Sequence, residues 1–204
     1  MTTSPNFQFH FDFGSPNAYL SHKIIPSITE RTGVACDYVP VLLGGVFKLT
    51  GNKSPMEQFH GIKNKTEYGR LEMERFVAAH DMTAYRRNPH FPVNTVQIMR
   101  GAIVMGRQGR LPDYVDAVYK NMWEQGLKMD DPKVTVAALD DTGFDGAGIL
   151  DGIQEQSVKD ELLTNTNASV ERGTFGSPTF FVGDEIFFGK DRLDGVEAEI
   201  EKQK

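Results

Sequence analysis

FQFHFDFGSPNAYL, residues 7–20, is the stretch that decides the fold. Phe7, Phe9, Phe11 and Phe13 alternate with Gln8, His10 and Asp12, the period of two expected of a strand with one strongly apolar face. Gly14-Ser15-Pro16 breaks that alternation. Ser15 suits a helix N-cap, and Pro16 suits the first helical position, where a backbone N–H has no partner to lose. The pattern predicts a helix from Pro16 to about Thr32, stopped by Gly33 and kinked at Pro26. Val34 to Leu43, rich in Val, Leu and Tyr, reads as a second strand. Two strands joined by a helical crossover run parallel.

Beyond this β-α-β opening, helix signals run from about Gly44 to Gly173 with almost no strand signal. Met56 to His80 reads as one long helix. Asn94 with Gln97 resembles a capping box, and Val96, Met99, Ile103 and Gly106 follow at helical spacing. Pro112 starts a helix through Tyr119 and Met122, Asp131-Pro132 starts another, and Ser157 to Arg172 is the last of the block. Strands return at Thr179–Val182 and Glu185–Phe188, joined by a Gly183-Asp184 hairpin turn, and a helix from Asp191 to Lys202 follows. The reading is an α/β domain, β-α-β and β-β-α, interrupted by an all-helical insertion.

The chain has 204 residues, 39% hydrophobic and 25% charged, with a net charge of −6. That is ordinary for one globular domain, and the acid excess argues against a nucleic-acid partner. A mean hydropathy of −0.38 excludes a membrane span. Met1 to Phe13 has neither a basic nor an apolar leader segment, so the cytoplasm is the expected compartment. Cys36 is the single cysteine, which rules out an intrachain disulfide and a CxxC redox pair; placed inside a strand, it reads as a small buried hydrophobe. Residues 60–110 carry nine Lys/Arg against four acids, and residues 130–161 nine acids against two lysines. Solvated helix faces account for most of these charges; a cleft holding an anion would account for some of the basic ones.

Several motifs fail. Gly45 to Ser54 is a near miss to a P-loop, with Asn52 splitting its glycine from its Lys-Ser and no strand feeding it. Gly143, Gly146 and Gly148 follow no strand, as a dinucleotide fingerprint requires. The five histidines show no metal-ligand spacing, and no GxSxG is present.

Three features carry chemistry. Asp12-Phe13-Gly14-Ser15-Pro16 puts a hydroxyl at a helix N-terminus, where free N–H groups and the positive dipole end favour an anion. Gly176-Ser177-Pro178-Thr179 puts a proline at a strand entrance, and a cis Ser177–Pro178 bond would offer the Ser177 backbone to an extended peptide. Gly189-Lys190-Asp191-Arg192 opens the last helix, with N–H groups suited to a carboxylate and the Asp191 side chain suited to an ammonium, together an α-amino acid head. Each also has a plain account: Ser15 as a cap, Pro178 as an ordinary trans proline, Asp191 as an N-cap with Arg192 on the surface.

The layout β-α-β, helical insertion, β-β-α resembles DsbA-like proteins, thioredoxin folds split by a helical domain. Ser15-Pro16-Asn17-Ala18 stands where redox members carry CxxC. FDFGSPNAYL and Phe175 to Leu193, FGSPTFFVGDEIFFGKDRL, resemble the signatures of kappa-class glutathione transferases and 2-hydroxychromene-2-carboxylate isomerases, and Gly51-Asn52 and Phe91-Pro92-Val93-Asn94 resemble their intermediate motifs. The likeness covers nearly the full chain. It implies a thioredoxin-like part at residues 5–50, a helical insertion at 51–173 and a second thioredoxin-like part at 174–204. It implies glutathione as cofactor. Ser15 then hydrogen-bonds the sulfur without itself being the nucleophile, and Ser177 before Pro178 offers its backbone to the cysteinyl unit. Lys190, Asp191 and Arg192 surround the γ-glutamyl head, with Asp191 and the Lys190 backbone making the contacts. The implied reaction is isomerisation of 2-hydroxychromene-2-carboxylate or a related aromatic acid, by reversible thiolate addition, ring opening, rotation and elimination. A kappa-like transferase or peroxidase that consumes thiol is the alternative, and a non-catalytic scaffold that lost its cysteines is a third. Lys48, Asn52, Lys63, Lys65 and Asn94 are candidates for seating the anionic substrate, and the resemblance implies a homodimer. The chain departs from the family at Pro55-Met56-Glu57, where the naphthalene-pathway isomerases carry a substrate-orienting Asn, and at Ser177 and Lys190, where relatives often have an aliphatic and a smaller polar residue.

Overall fold

The computed structural model describes residues 5–204; residues 1–4, part of the stretch read above for a leader, lie outside them. Strands β1 (Phe7–Phe11), β2 (Cys36–Pro40), β3 (Thr179–Val182) and β4 (Glu185–Phe188) form one mixed sheet in the order β2-β1-β3-β4. β1 runs parallel to β2, with Phe7 opposite Cys36, and antiparallel to β3, with Phe7 opposite Val182. β3 and β4 form the predicted hairpin. Helix α1 (Pro16–Thr32) makes the crossover between β1 and β2 and ends at Gly33, whose φ of 68° a glycine adopts without a Cβ clash. It runs unbroken through Pro26.

β1 is paired along both edges, and both its faces are largely buried. Phe9 stacks on Phe180 with centroids 5.2 Å apart, Tyr38 meets it edge-on at 5.1 Å, and Tyr119 meets Phe13 at 4.9 Å. Each phenylalanine so buried stabilises the fold by about 2 kcal/mol. The single apolar face expected from the alternation is therefore half the story, because His10 and Asp12 on the other face are buried too. β2 is shorter than the expected Val34–Leu43. The Leu43 N–H donates to the Asp12 carboxylate at 2.7 Å, and the chain turns there into α2 (Leu43–Thr50).

His10 Nδ1 lies 2.8 Å from Ser169 Oγ, and the Ser169 hydroxyl donates to Thr174 Oγ1 at 2.7 Å. The imidazole is thus the donor at Nδ1, and its buried Nε2 has no partner. Burial, with Arg172 nearby, lowers the His10 pKa from 6.5 to about 4. The unfolded chain binds this proton below pH 6.5 and the folded chain only near pH 4, so stability is full above 6.5 and falls through that window. We expect a loss of about 3 kcal/mol between pH 7 and 4 that His10→Gln removes, read by urea unfolding at each pH; an identical pH slope in that variant would contradict it.

The helical block comprises α3 (Pro55–Gln58), α4 (Lys65–Ala79), α5 (Val96–Arg107), α6 (Leu111–Trp123), α7 (Pro132–Asp140) and α8 (Gly146–Gly152), and α9 (Gln156–Glu171) leads back to the sheet. The helix expected over Met56 to His80 is two helices. Gly61 (φ 78°) and Asn64 (φ 68°) turn the chain between them, and neither helix has a fully buried residue to override that break. The expected capping box does not form. Asn94 Oδ1 accepts from Val96 N at 3.0 Å, the N-cap is Thr95, and the Gln97 amide donates instead to Met129 O and Thr135 Oγ1 at 2.7 and 2.8 Å. α5 and α6 approach closely because Gly101 leaves room for Tyr114, whose hydroxyl donates to Ile98 O at 3.0 Å. The last helix starts later than Asp191: Lys190–Arg192 form a single 3-10 turn, and α10 spans Leu193–Lys202. Among the described residues no helix is long and apolar enough to cross a membrane, and no group of His, Cys, Asp and Glu could hold a metal ion.

Candidate active site

The β1–α1 turn is gripped from several sides. Phe13 O accepts from the Trp123 indole at 2.8 Å, Gly14 N donates to Asp12 Oδ1 at 2.8 Å, and Ser15 N donates to Asp12 O at 3.1 Å. This fixes Ser15 as the N-cap of α1, its Oγ accepting from Ala18 N at 3.2 Å. The same hydroxyl donates to the Ser177 carbonyl at 2.8 Å, while Ser177 Oγ accepts from Asp12 N at 3.2 Å. Two features 162 residues apart thus meet, and Ser15 and Ser177 are only 5% and 9% exposed. The Ser177–Pro178 bond is cis.

The third feature joins them through Gly189 N, which donates to Pro178 O at 3.1 Å. Asp191 and Arg192 are exposed, their charged ends 3.7 Å apart. Lys190 is valued above for its backbone, yet its side chain is 5% exposed. Its ammonium donates to Glu72 Oε1 at 2.6 Å and lies 4.6 Å from the Phe76 ring centroid, tying α4 to the site. Breaking such a pair costs more than replacing it with an apolar chain, because a lone buried charge stays unpaired. We expect Glu72→Ala to cost about 1–2 kcal/mol and Lys190→Met to fall within about 0.5 kcal/mol of the parent; thermal unfolding that ranks the two the other way would contradict this.

Asn52 also reaches the cluster, its amide donating to Phe175 O at 2.8 Å. The other substrate-seating candidates stand apart. Lys63 lies in the α3–α4 turn, the Lys65 ammonium sits 4.8 Å from the Phe59 ring, Asn94 serves its own turn, and Lys48 lines a different groove. Cys36 is the first residue of β2, half-buried, and burial pushes its thiol well up, away from nucleophilic use.

Asp12 escaped the sequence reading. It is 1% exposed and accepts from Gly14 N, Leu43 N and the Thr95 hydroxyl, the last at 3.1 Å, so one carboxylate binds the serine turn to the N-termini of α2 and α5. Burial raises its pKa, and the three hydrogen bonds oppose that shift. The available signal was an acid set between phenylalanines, directly before a turn.

Known proteins share the fold. A family model described as the DSBA-like thioredoxin domain matches residues 7–201. The 2-hydroxychromene-2-carboxylate isomerase of Pseudomonas putida is 26% identical over 93% of this chain and 91% of its own. The glutathione S-transferase kappa 1 of Caenorhabditis elegans is 26% identical over 95% and 89%. A solved 2-hydroxychromene-2-carboxylate isomerase superposes with a TM-score of 0.83, covering 96% of this chain and 94% of that one at 24% identity. The chain therefore belongs to the DsbA-like thioredoxin-domain family.

Proposed function

We propose that this protein is a glutathione-dependent isomerase of an anionic aromatic acid, of the 2-hydroxychromene-2-carboxylate kind. The observation that carries the reading is the Ser15 hydroxyl, held at the N-terminus of α1 and on the Ser177 carbonyl, where redox relatives need a cysteine. The residues fit the tripeptide. Asn17 Oδ1 beside Ser15 is buried with no partner, and the exposed Asp191 carboxylate, 3.7 Å from the Arg192 guanidinium, is accessible to an ammonium. Ser177 supplies the backbone edge for the cysteinyl unit, and the Lys190 backbone and Arg192 flank the γ-glutamyl head.

Glutathione held there supplies a thiolate that adds reversibly to a conjugated acceptor. The chain's part is to stabilise that charge. The Ser15 hydroxyl can swing from the Ser177 carbonyl and donate to the sulfur, and the α1 dipole lowers the cost of negative charge at its N-terminus. Pairing the peptide through backbone groups sets the sulfur's position. Residues 5–50 and 174–204 carry this thioredoxin-like peptide site, and the insertion, 51–173, supplies the substrate side, where Asn52 is the polar candidate that reaches the cluster. A homodimer in the cytoplasm is the expected form.

The test is an assay on 2-hydroxychromene-2-carboxylate with free thiol monitored. Isomerisation with no loss of thiol supports the reading. Steady thiol consumption with an electrophile, without isomerisation, replaces it with the transferase alternative.

A further inference from the structure

A groove of about 460 Å³ lies between α2, α5 and α9. None of Ser15, Ser177, Lys190 and Asp191 lines it. Its apolar lining is branched aliphatic, from Leu42, Leu49, Val96, Leu162 and Leu163, with no aromatic ring, and Leu49 and Leu163 are more than half exposed. A volume of this size is in the range of small-ligand sites.

Three cations, Lys48, Arg100 and Lys159, stand around this apolar surface. Among the described residues none of them makes an ion pair or a side-chain hydrogen bond, although Arg100 and Lys159 are half-buried. Elsewhere the buried cation is matched, Lys190 with Glu72, and cations without an ion pair, such as Arg70, Arg75 and Lys133, are exposed. The one acid in the lining, Asp160, already accepts from the Gln156 amide at 2.7 Å. Three cations against one acid leave the groove positive in a chain whose net charge is −6. Half-buried cations without partners beside an aliphatic trough are complementary to one kind of molecule, which has a carboxylate head and an aliphatic body.

We infer that this groove is a second binding site, separate from the serine cluster, for a small free aliphatic carboxylate. Arg100 and Lys159 receive the head, with Lys48 at the rim, and Leu49 and Leu163 close over the chain. The site does not depend on glutathione binding, so the two stand or fall separately.

The test is calorimetric titration of octanoate and of 1-octanol into the full chain, with and without glutathione. Octanoate is expected to bind at least about tenfold tighter than the alcohol, to tighten about tenfold on lengthening to decanoate, and to be indifferent to glutathione. The Arg100→Glu/Lys159→Glu variant is expected to weaken octanoate at least about thirtyfold and leave glutathione titration unchanged. Leu163→Asp, at a side chain 58% exposed and so harmless to the fold, is expected to weaken it as well. Equal binding of acid and alcohol, undiminished octanoate binding in the charge-reversal variant, or displacement of octanoate by glutathione would each overturn the inference.

Discussion

Ser15→Ala is expected to lower isomerase turnover about a hundredfold while changing the KM for glutathione less than about threefold. The asymmetry follows from what the side chain does. In the proposed function the peptide is held by backbone groups and Asp191, which the substitution leaves in place, whereas the donor to the sulfur is lost. With it goes the stabilisation of the thiolate, so the acidic limb of the pH–rate profile moves to higher pH. Alanine also removes the cap on Ala18 N and the bond to Ser177 O, with a stability cost of about 1 kcal/mol that thermal unfolding measures separately. Steady-state kinetics across pH decides the matter. Unchanged turnover with only the small stability loss would reduce Ser15 to a helix cap.

Asp12→Ala is expected to destabilise the protein by about 4 kcal/mol, seen as a fall in Tm of about 10 °C. Three donors, the part-buried Gly14 N and Leu43 N and the buried Thr95 hydroxyl, lose their acceptor at once, and each group left unsatisfied out of water costs about 1–3 kcal/mol. Asp12→Asn keeps an acceptor and the shape but points an NH2 at one donor, so it is expected to lose about half as much. Since burial raises the Asp12 pKa, the charge itself is costly, and stability attributable to this group grows as pH falls toward the ordinary carboxylate range. Differential scanning calorimetry of the two variants tests the ranking. Asp12→Ala within 1 kcal/mol of the parent would mean that the turn and both helix starts find other partners.

These two residues also mark the limit of what the sequence tells. Much of the local signal is legible. The period-two phenylalanines gave β1, Ser15-Pro16 and Gly33 bounded α1, and Gly183-Asp184 placed the β3–β4 hairpin to the residue. Long-range partners carry no such mark. Nothing near Asp12 announces that Leu43 and Thr95 will share its carboxylate, and nothing near Lys190 names Glu72, 118 residues away. Asn94 and Gln97 show the converse. A good local motif lost to partners outside its own turn, Met129 and Thr135, whose backbone and hydroxyl oxygens accept the Gln97 amide. Met56 to His80 kept its helical composition, but Gly61 and Asn64 in the left-handed region outweighed a weak periodicity with no core face behind it. The segments that carry Ser15, Ser177-Pro178 and Lys190-Asp191 meet because they lie at element ends that the antiparallel pairing brings to one end of the sheet, and Asn52 reaches them through Phe175 O. Lys48, Lys63 and Lys65 were chosen for charge alone, which says nothing about direction, and they do not join the cluster.

A glutathione site at the start of α1 is the centre of the proposed function, and one titration addresses it directly. Glutathione is added calorimetrically to the purified protein and, in parallel, to Asp191→Ala. We expect saturable binding with a Kd below 1 mM for the parent and a loss of about tenfold or more when the head-group carboxylate is removed. No heat of binding at millimolar glutathione would contradict the account and leave the chain a DsbA-like scaffold without this chemistry.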